Sequence, residues 1–123
     1  MDIESLRLFG LRWPLVTEGM PFGEGTLVLK VAGKIFLMIS LDEQPARFNF
    51  KAEPQHGLEY RERFSAVIPG YHSNKRHWNT VRLDGSVPDE ILKSFIENSY
   101  RLVAAKLPLK IREEIKNAGH PLS

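Results

Sequence analysis

Residues 2–13, DIESLRLFGLRW, set Ile3, Leu6, Phe9 or Gly10, and Trp13 at helical spacing, with Asp2 and Glu4 in the first turn and Pro14 closing the run. The pattern predicts an amphipathic helix. A stretch punctuated by Gly19, Pro21, Gly23 and Gly25 follows, with room for an extra strand near Met20. Then TLVLKV, Ala32-Gly33 and KIFLMISL read as a β-hairpin. With a two-residue turn, Lys30 pairs with Ile35 and Val28 with Leu37. Val28, Lys30, Ile35, Leu37 and Ile39 would then share one face, and Leu27, Leu29, Phe36 and Met38 the other. Both faces are apolar, which predicts a central strand whose second face is covered by a helix, a long side chain or a sister subunit.

ARFNFKA reads as a third strand with Phe48 and Phe50 on one side and Arg47, Asn49 and Lys51 on the other. Pro54 opens a short helix to about Phe64, and HWNTVRL forms a further strand. The late helix is the best defined element. Ser86 with Asp89 has the spacing of a capping box, and Pro88 suits the first turn. Ile91, Leu92, Phe95, Ile96, Ser99, Leu102 and Val103 share one face, while Lys93, Glu97 and Arg101 make a charge ladder on the other. After Pro108 a last helix runs to about Asn117. The order is α-β-β-β-α-β-α-α. Short turns between strands and helices at both ends predict an α+β fold, a two-layer sandwich with an antiparallel sheet and helices packed on one face.

With 123 residues, 42% apolar and 26% charged, the chain suits a single domain over residues 1–118 followed by a tail at 119–123. The absence of cysteine excludes disulfides, thiolate nucleophiles and Cys-ligated metals, and a reducing cytoplasm is the expected setting. The longest apolar run, Ile35 to Ile39, is too short to span a bilayer. The amino terminus, with Asp2 and Glu4, lacks the basic start of a signal peptide, so no membrane or leader segment is expected. Charge is uneven: residues 1–60 carry six Lys/Arg against eight Asp/Glu, and residues 61–123 carry eleven against seven, giving −2 and +4. That balance permits an anionic partner without requiring one, because such charge is usually just a solvated surface.

The densest chemistry lies in PGYHSNKRHWNTVRLDG, residues 69–85. His72 and His77 are five apart, which on a strand points them to opposite faces, and no acidic residue lies between them. A structural role, with the imidazoles holding loop backbone, is expected, and no metal or cofactor. Asn74 tolerates a positive φ and would set a tight turn that projects Lys75 and Arg76. If Val81 and Leu83 face the helices, Trp78, Thr80 and Arg82 lie on the opposite face. Bases stack on such aromatics and phosphates pair with nearby cations, so Trp78 with Lys75, Arg76 and Arg82 has the ingredients of a nucleic-acid contact, although a lone Trp is most often packing.

Other chemistries are excluded by spacing. Seven residues separate Gly25 from Gly33, and Ile35 stands where a phosphate-binding loop needs Ser or Thr. GEG at 23–25 precedes a strand, so it offers no helix terminus to a pyrophosphate. Ser99, on the apolar face of its helix, is expected to bond back to a helical carbonyl, with Tyr100 at the edge. Nothing places either beside His77, and a non-enzymatic protein is expected.

PFGEGTLVLKVAGKIF, PGYHSNKRHWNTVRLDG, ENSYRLV and LPLKIRE together resemble the MmcQ/YjbR family of small bacterial domains, over nearly the whole chain. The most specific parts are Gly33-Lys34, Pro69-Gly70-Tyr71-His72, His77-Trp78 and Ser99-Tyr100. The resemblance implies a frataxin-like (CyaY-like) sandwich, also described as a double-wing fold, and a DNA-binding role. Iron binding in frataxin-like folds goes with a strongly acidic first helix, whereas here Asp2 and Glu4 stand alongside Arg7 and Arg12. DNA is thus the expected partner, through Lys75, Arg76, Trp78 and Arg82 with His72, Asn74 and His77 around them. The alternatives are a protein-interaction module, chaperone-like or homodimerising, and a binder of a small anionic ligand.

Overall fold

A computed structural model describes residues 1–70 and 74–119. Ten elements run α1 (Ile3–Leu11), β1 (Val16–Gly19), β2 (Thr26–Val31), β3 (Lys34–Ser40), β4 (Arg47–Lys51), α2 (Pro54–Arg63), β5 (Val67–Pro69), β6 (Trp78–Arg82), α3 (Asp89–Ala104) and α4 (Leu109–Asn117). The strands form one antiparallel sheet in the order β1-β2-β3-β4-β6-β5. Two strands thus join the expected order: β1, slightly before Met20, and β5. They are the shortest strands and take the two edges, which limits the length of backbone left open to pairing. No described helix is long and apolar enough to cross a membrane.

The helices pack on one face of the sheet. From α3, Leu92, Phe95, Ile96, Ser99, Tyr100 and Val103 are buried. Phe95 stacks on Phe50 with ring centroids 4.4 Å apart and also meets Tyr60 of α2. Leu6 and Gly10 of α1 are buried, and Trp13, just past its end, stacks on Tyr100 at 5.2 Å. Arg7 reaches from α1 to the edge strand β1, giving Glu18 two hydrogen bonds of 2.7 and 2.6 Å. Two details of α3 differ from expectation. Its N-cap is Pro88, while Ser86 turns back onto Asp84, so no capping box forms. Lys93 pairs with Glu90 at 3.5 Å, and only Glu97–Arg101 of the predicted ladder closes, at 2.9 Å.

The hairpin turn forms at Ala32-Gly33, both with positive φ (46° and 86°), as a two-residue turn between paired strands requires. Its register departs from the simple alternation. Lys30 pairs with Ile35 as expected, but Leu29 pairs with Leu37 and Val28 with Met38, so Phe36 is an extra residue on β3. This β-bulge changes which residues share a face. Phe36 and Leu37 are both wholly buried: the Phe36 ring packs edge-on against Tyr100, and Leu37 lies beside Gly10 of α1. Leu37 and Ile39 therefore belong to the helix side, and Ile35 and Met38 to the open side. The apolar residues assigned by alternation to one face are thus divided between two.

The bulge also opens the ladder between β3 and β4, whose last pair is Leu37 with Phe50. Where Phe36 and Lys51 would pair next, the Ser99 hydroxyl enters from α3. It accepts from the Lys51 N–H at 2.8 Å and donates to the Phe36 carbonyl at 2.6 Å. Ser99 is thus a cross-strand bridge rather than a side chain bonded back along its helix; that back-bond is made by Ser94, to the Ile91 carbonyl. Tyr100 lies in the core rather than at its edge, with its hydroxyl donating to the Pro14 carbonyl at 2.8 Å. Burial pushes its phenol up to about 12.

Candidate nucleic-acid interface on the open face of the sheet

The face turned away from the helices is built from alternate residues of the same strands. On β4 and β6 the pairs Arg47–Arg82, Asn49–Thr80 and Lys51–Trp78 lie opposite one another. Asn79 and Val81 point into the core side, so Trp78, Thr80 and Arg82 share the open face as their alternation predicts. Thr80 donates to Asn49 Oδ1 at 2.7 Å. The partly buried Lys51 ammonium is held below its ordinary value, first by desolvation and then by Lys106. Arg47 and Arg82 face one another directly, a pairing of like charges that a sheet tolerates only at some cost.

The turn before β6 is tight, and hydrogen bonds to Asn74 close it. The Asn74 side chain accepts from the Arg76 N–H at 2.9 Å, and its carbonyl accepts from the His77 and Trp78 N–H groups at 3.2 and 2.8 Å. Lys75 and Arg76 are exposed on this turn. His77 ties the turn to β4 through backbone, its carbonyl accepting from Ala52 at 2.8 Å. His72 lies outside the described residues. Gly70 fixes the other side: its N–H donates to the Trp78 carbonyl at 2.8 Å, and a Cβ there would stand 2.7 Å from that oxygen. Only glycine lets β5 approach Trp78 so closely.

Beside Trp78 the open face is hollowed into a cavity of about 690 Å³. Met38, Asn49, Ser40 and Thr26 come from the strands, and Phe22, Asp42, Glu43 and Asn74 from loops around them. Arg47 also lines it, donating to Glu43 at 3.1 Å. Of the residues singled out by sequence, the structure gathers Trp78 and Asn74 at this cavity, sets Lys75 and Arg76 on the adjoining turn, and carries Arg82 farther along the strand. The alternation of ARFNFKA already placed Arg47, Asn49 and Lys51 on one face, which was a usable signal. Phe22, Asp42 and Glu43 had none, because loops bring them in.

A family model described as YjbR matches residues 11–102. The chain belongs to the YjbR family. Its relatives include YbdF of Escherichia coli O157:H7, 30% identical over 113 residues, which span 92% of this chain and 93% of the relative. YjbR of Escherichia coli K12 is 34% identical over 85 residues, 69% of this chain and 72% of the relative. Both are described as uncharacterised. Among solved structures, protein DR2400 of Deinococcus radiodurans superimposes with a TM-score of 0.89 at 35% identity, covering 99% of this chain and 91% of that one. A Pseudomonas syringae protein shares the fold at a TM-score of 0.72 and 20% identity, covering 83% and 98%.

Proposed function

We propose that this YjbR-family domain binds nucleic acid on the open face of its sheet, with unpaired strands preferred over duplex. The observation that carries the reading is Trp78, half-buried at the rim of a concavity, with exposed Lys75 and Arg76 on the turn that leads into it. A sheet with an aromatic platform and flanking cations suits bases that are free to stack and phosphates that pass alongside. The helices pack on the opposite side, so this face offers no helix to enter a major groove. A frataxin-like (CyaY-like) form of the sandwich belongs to the same reading without iron binding, since Glu4 of α1 is paired with Arg7 rather than set in an acidic ridge.

The test is a salt titration of binding to labelled single-stranded and duplex oligonucleotides. Affinity should fall as salt rises, and single strands should bind more tightly. Replacing Lys75 and Arg76 together by Ala should lower the salt slope by about 1.4 on single strands, from two lost contacts at roughly 0.7 each. An absence of salt-dependent affinity for either form at low ionic strength would overturn the reading.

A second reading is favoured by Phe22 and Met20, which are 66% and 48% exposed beside the cavity loop. Such side chains suit a protein partner or a second copy. Concentration-dependent sedimentation that is abolished by Phe22→Ser would support it.

A further inference from the structure

The cavity is lined by charges of the wrong balance for a phosphate: two carboxylates, Asp42 and Glu43, against the single guanidinium of Arg47, which Glu43 already engages. The cations that stand free of that arrangement, Lys75 and Arg76, lie on the turn outside it. A nucleotide would therefore be sorted into its parts, phosphate on the turn and neutral base within. The size agrees, since about 690 Å³ falls in the range of pockets that enclose small ligands. The walls agree too: Trp78 and Phe22 offer ring surface, and Met38 an adaptable thioether.

Resting on the nucleic-acid reading above, we propose that this cavity seats one unpaired base and favours guanine. The polar groups decide the preference. Asn49 Oδ1 is committed to the Thr80 hydroxyl, which orients the amide and leaves Nδ2 as a donor beside the cavity. The Asp42 carboxylate lies over the Gly25 backbone, where no Cβ intervenes, and adds two acceptor oxygens to the wall. Guanine presents two adjacent kinds of N–H donor, at N1 and N2, which match the oxygens of a carboxylate, and its O6 and N7 accept from an amide. Thymine has one N–H between two carbonyls, and those carbonyls would be turned toward carboxylates.

The test uses thymidine decamers in which one central position is thymine, guanine or abasic, bound at low salt and followed by Trp fluorescence. Of the two tryptophans, Trp13 is buried in the core, so quenching reports Trp78. The guanine strand should bind about tenfold more tightly than the abasic one, as expected for a stacked and hydrogen-bonded base. Met38→Trp, which fills the cavity, and Asp42→Asn should each erase the guanine preference without changing the salt slope. Asp42 is exposed, so its variant carries the test if Met38→Trp does not fold. Quenching by free guanosine monophosphate and not by thymidine monophosphate would support the seat and extend it to free nucleotides. Guanine preference within a strand but no quenching by either free nucleotide would support the seat and assign it to strands. Equal affinity for all three strands with a normal salt slope overturns the seat while leaving the proposed function intact. No salt-dependent binding to any strand overturns both.

Discussion

The two faces of this sheet are made by neighbouring residues of the same strands, yet they are finished differently. Toward the helices, Phe48, Phe50, Val81, Leu29, Leu37 and Ile39 are buried, and the polar groups that enter are satisfied inside the protein: Ser99 by two strands, Asn79 by Arg61, Tyr100 by Pro14. Toward the open side, Met38, Asn49, Trp78 and Arg82 keep part of their surface, and two arginines stand opposite one another. The first face is assembled to be stable. The second keeps apolar surface partly open and sets two like charges opposite one another in register, features that a binding surface can keep at the expense of stability.

The largest effect that would confirm the division is expected at Phe95. Its ring stacks on Phe50 and touches Tyr60 and Phe64, joining α3 to both β4 and α2. Phe95→Ala should cost about 3 to 5 kcal/mol in chemical denaturation. A loss below about 1 kcal/mol would show that the helix face does not carry the core. In the same assay, Ser99→Ala should cost about 2 to 4 kcal/mol, because the Lys51 N–H and the Phe36 carbonyl would both be left buried without a partner. Faster hydrogen exchange at the Lys51 amide would locate the damage. An unchanged amide would mean that the strands close without the serine.

Much of the helix-side architecture was legible in the sequence, because periodicity and punctuation agree there. Phe48 and Phe50 alternate with Arg47, Asn49 and Lys51; Ala32-Gly33 marks the turn; Pro54, Pro88 and Pro108 mark helix starts. The bulge was not legible. From Val28 to Ile39 nearly every position is apolar, so a slip of one residue leaves the pattern unchanged and alternation no longer tells one face from the other. The role of Ser99 depends on that bulge and was hidden with it. β5 has three residues and ends in Pro69, too little for a periodic signal. On the open face, strand residues were readable from their spacing, but the cavity walls came from Phe22, Asp42 and Glu43, whose meeting is set by loop paths.

Alkaline pH sharpens the comparison more gently. The Tyr100 phenol is held up to about 12 in the folded protein against an ordinary value near 10. Above pH 10 the unfolded chain loses this proton first, so stability is fully present below that pH and is lost as pH rises toward 12. The decline should reach about 2 to 3 kcal/mol. Tyr100→Phe should cost about 1 kcal/mol at neutral pH, through the lost bond to Pro14, and should remove this part of the alkaline decline. Parallel curves for the two proteins would show that another group governs it.

The smallest expected effect on stability is also the one that separates the faces most clearly. Arg82 is exposed, gives the Ser65 carbonyl a long contact of 3.5 Å, and stands opposite Arg47. Arg82→Thr places a good strand former on the sheet and removes the repulsion, so denaturation should show no loss and a gain of up to about 0.5 kcal/mol. The same change removes a candidate phosphate contact, so the salt slope on single strands should fall by about 0.7. Opposite signs in the two measurements are what a surface kept for binding requires. A variant that loses more than about 1 kcal/mol would make Arg82 a structural residue, and an unchanged slope would confine the proposed contact surface to the turn at Lys75 and Arg76.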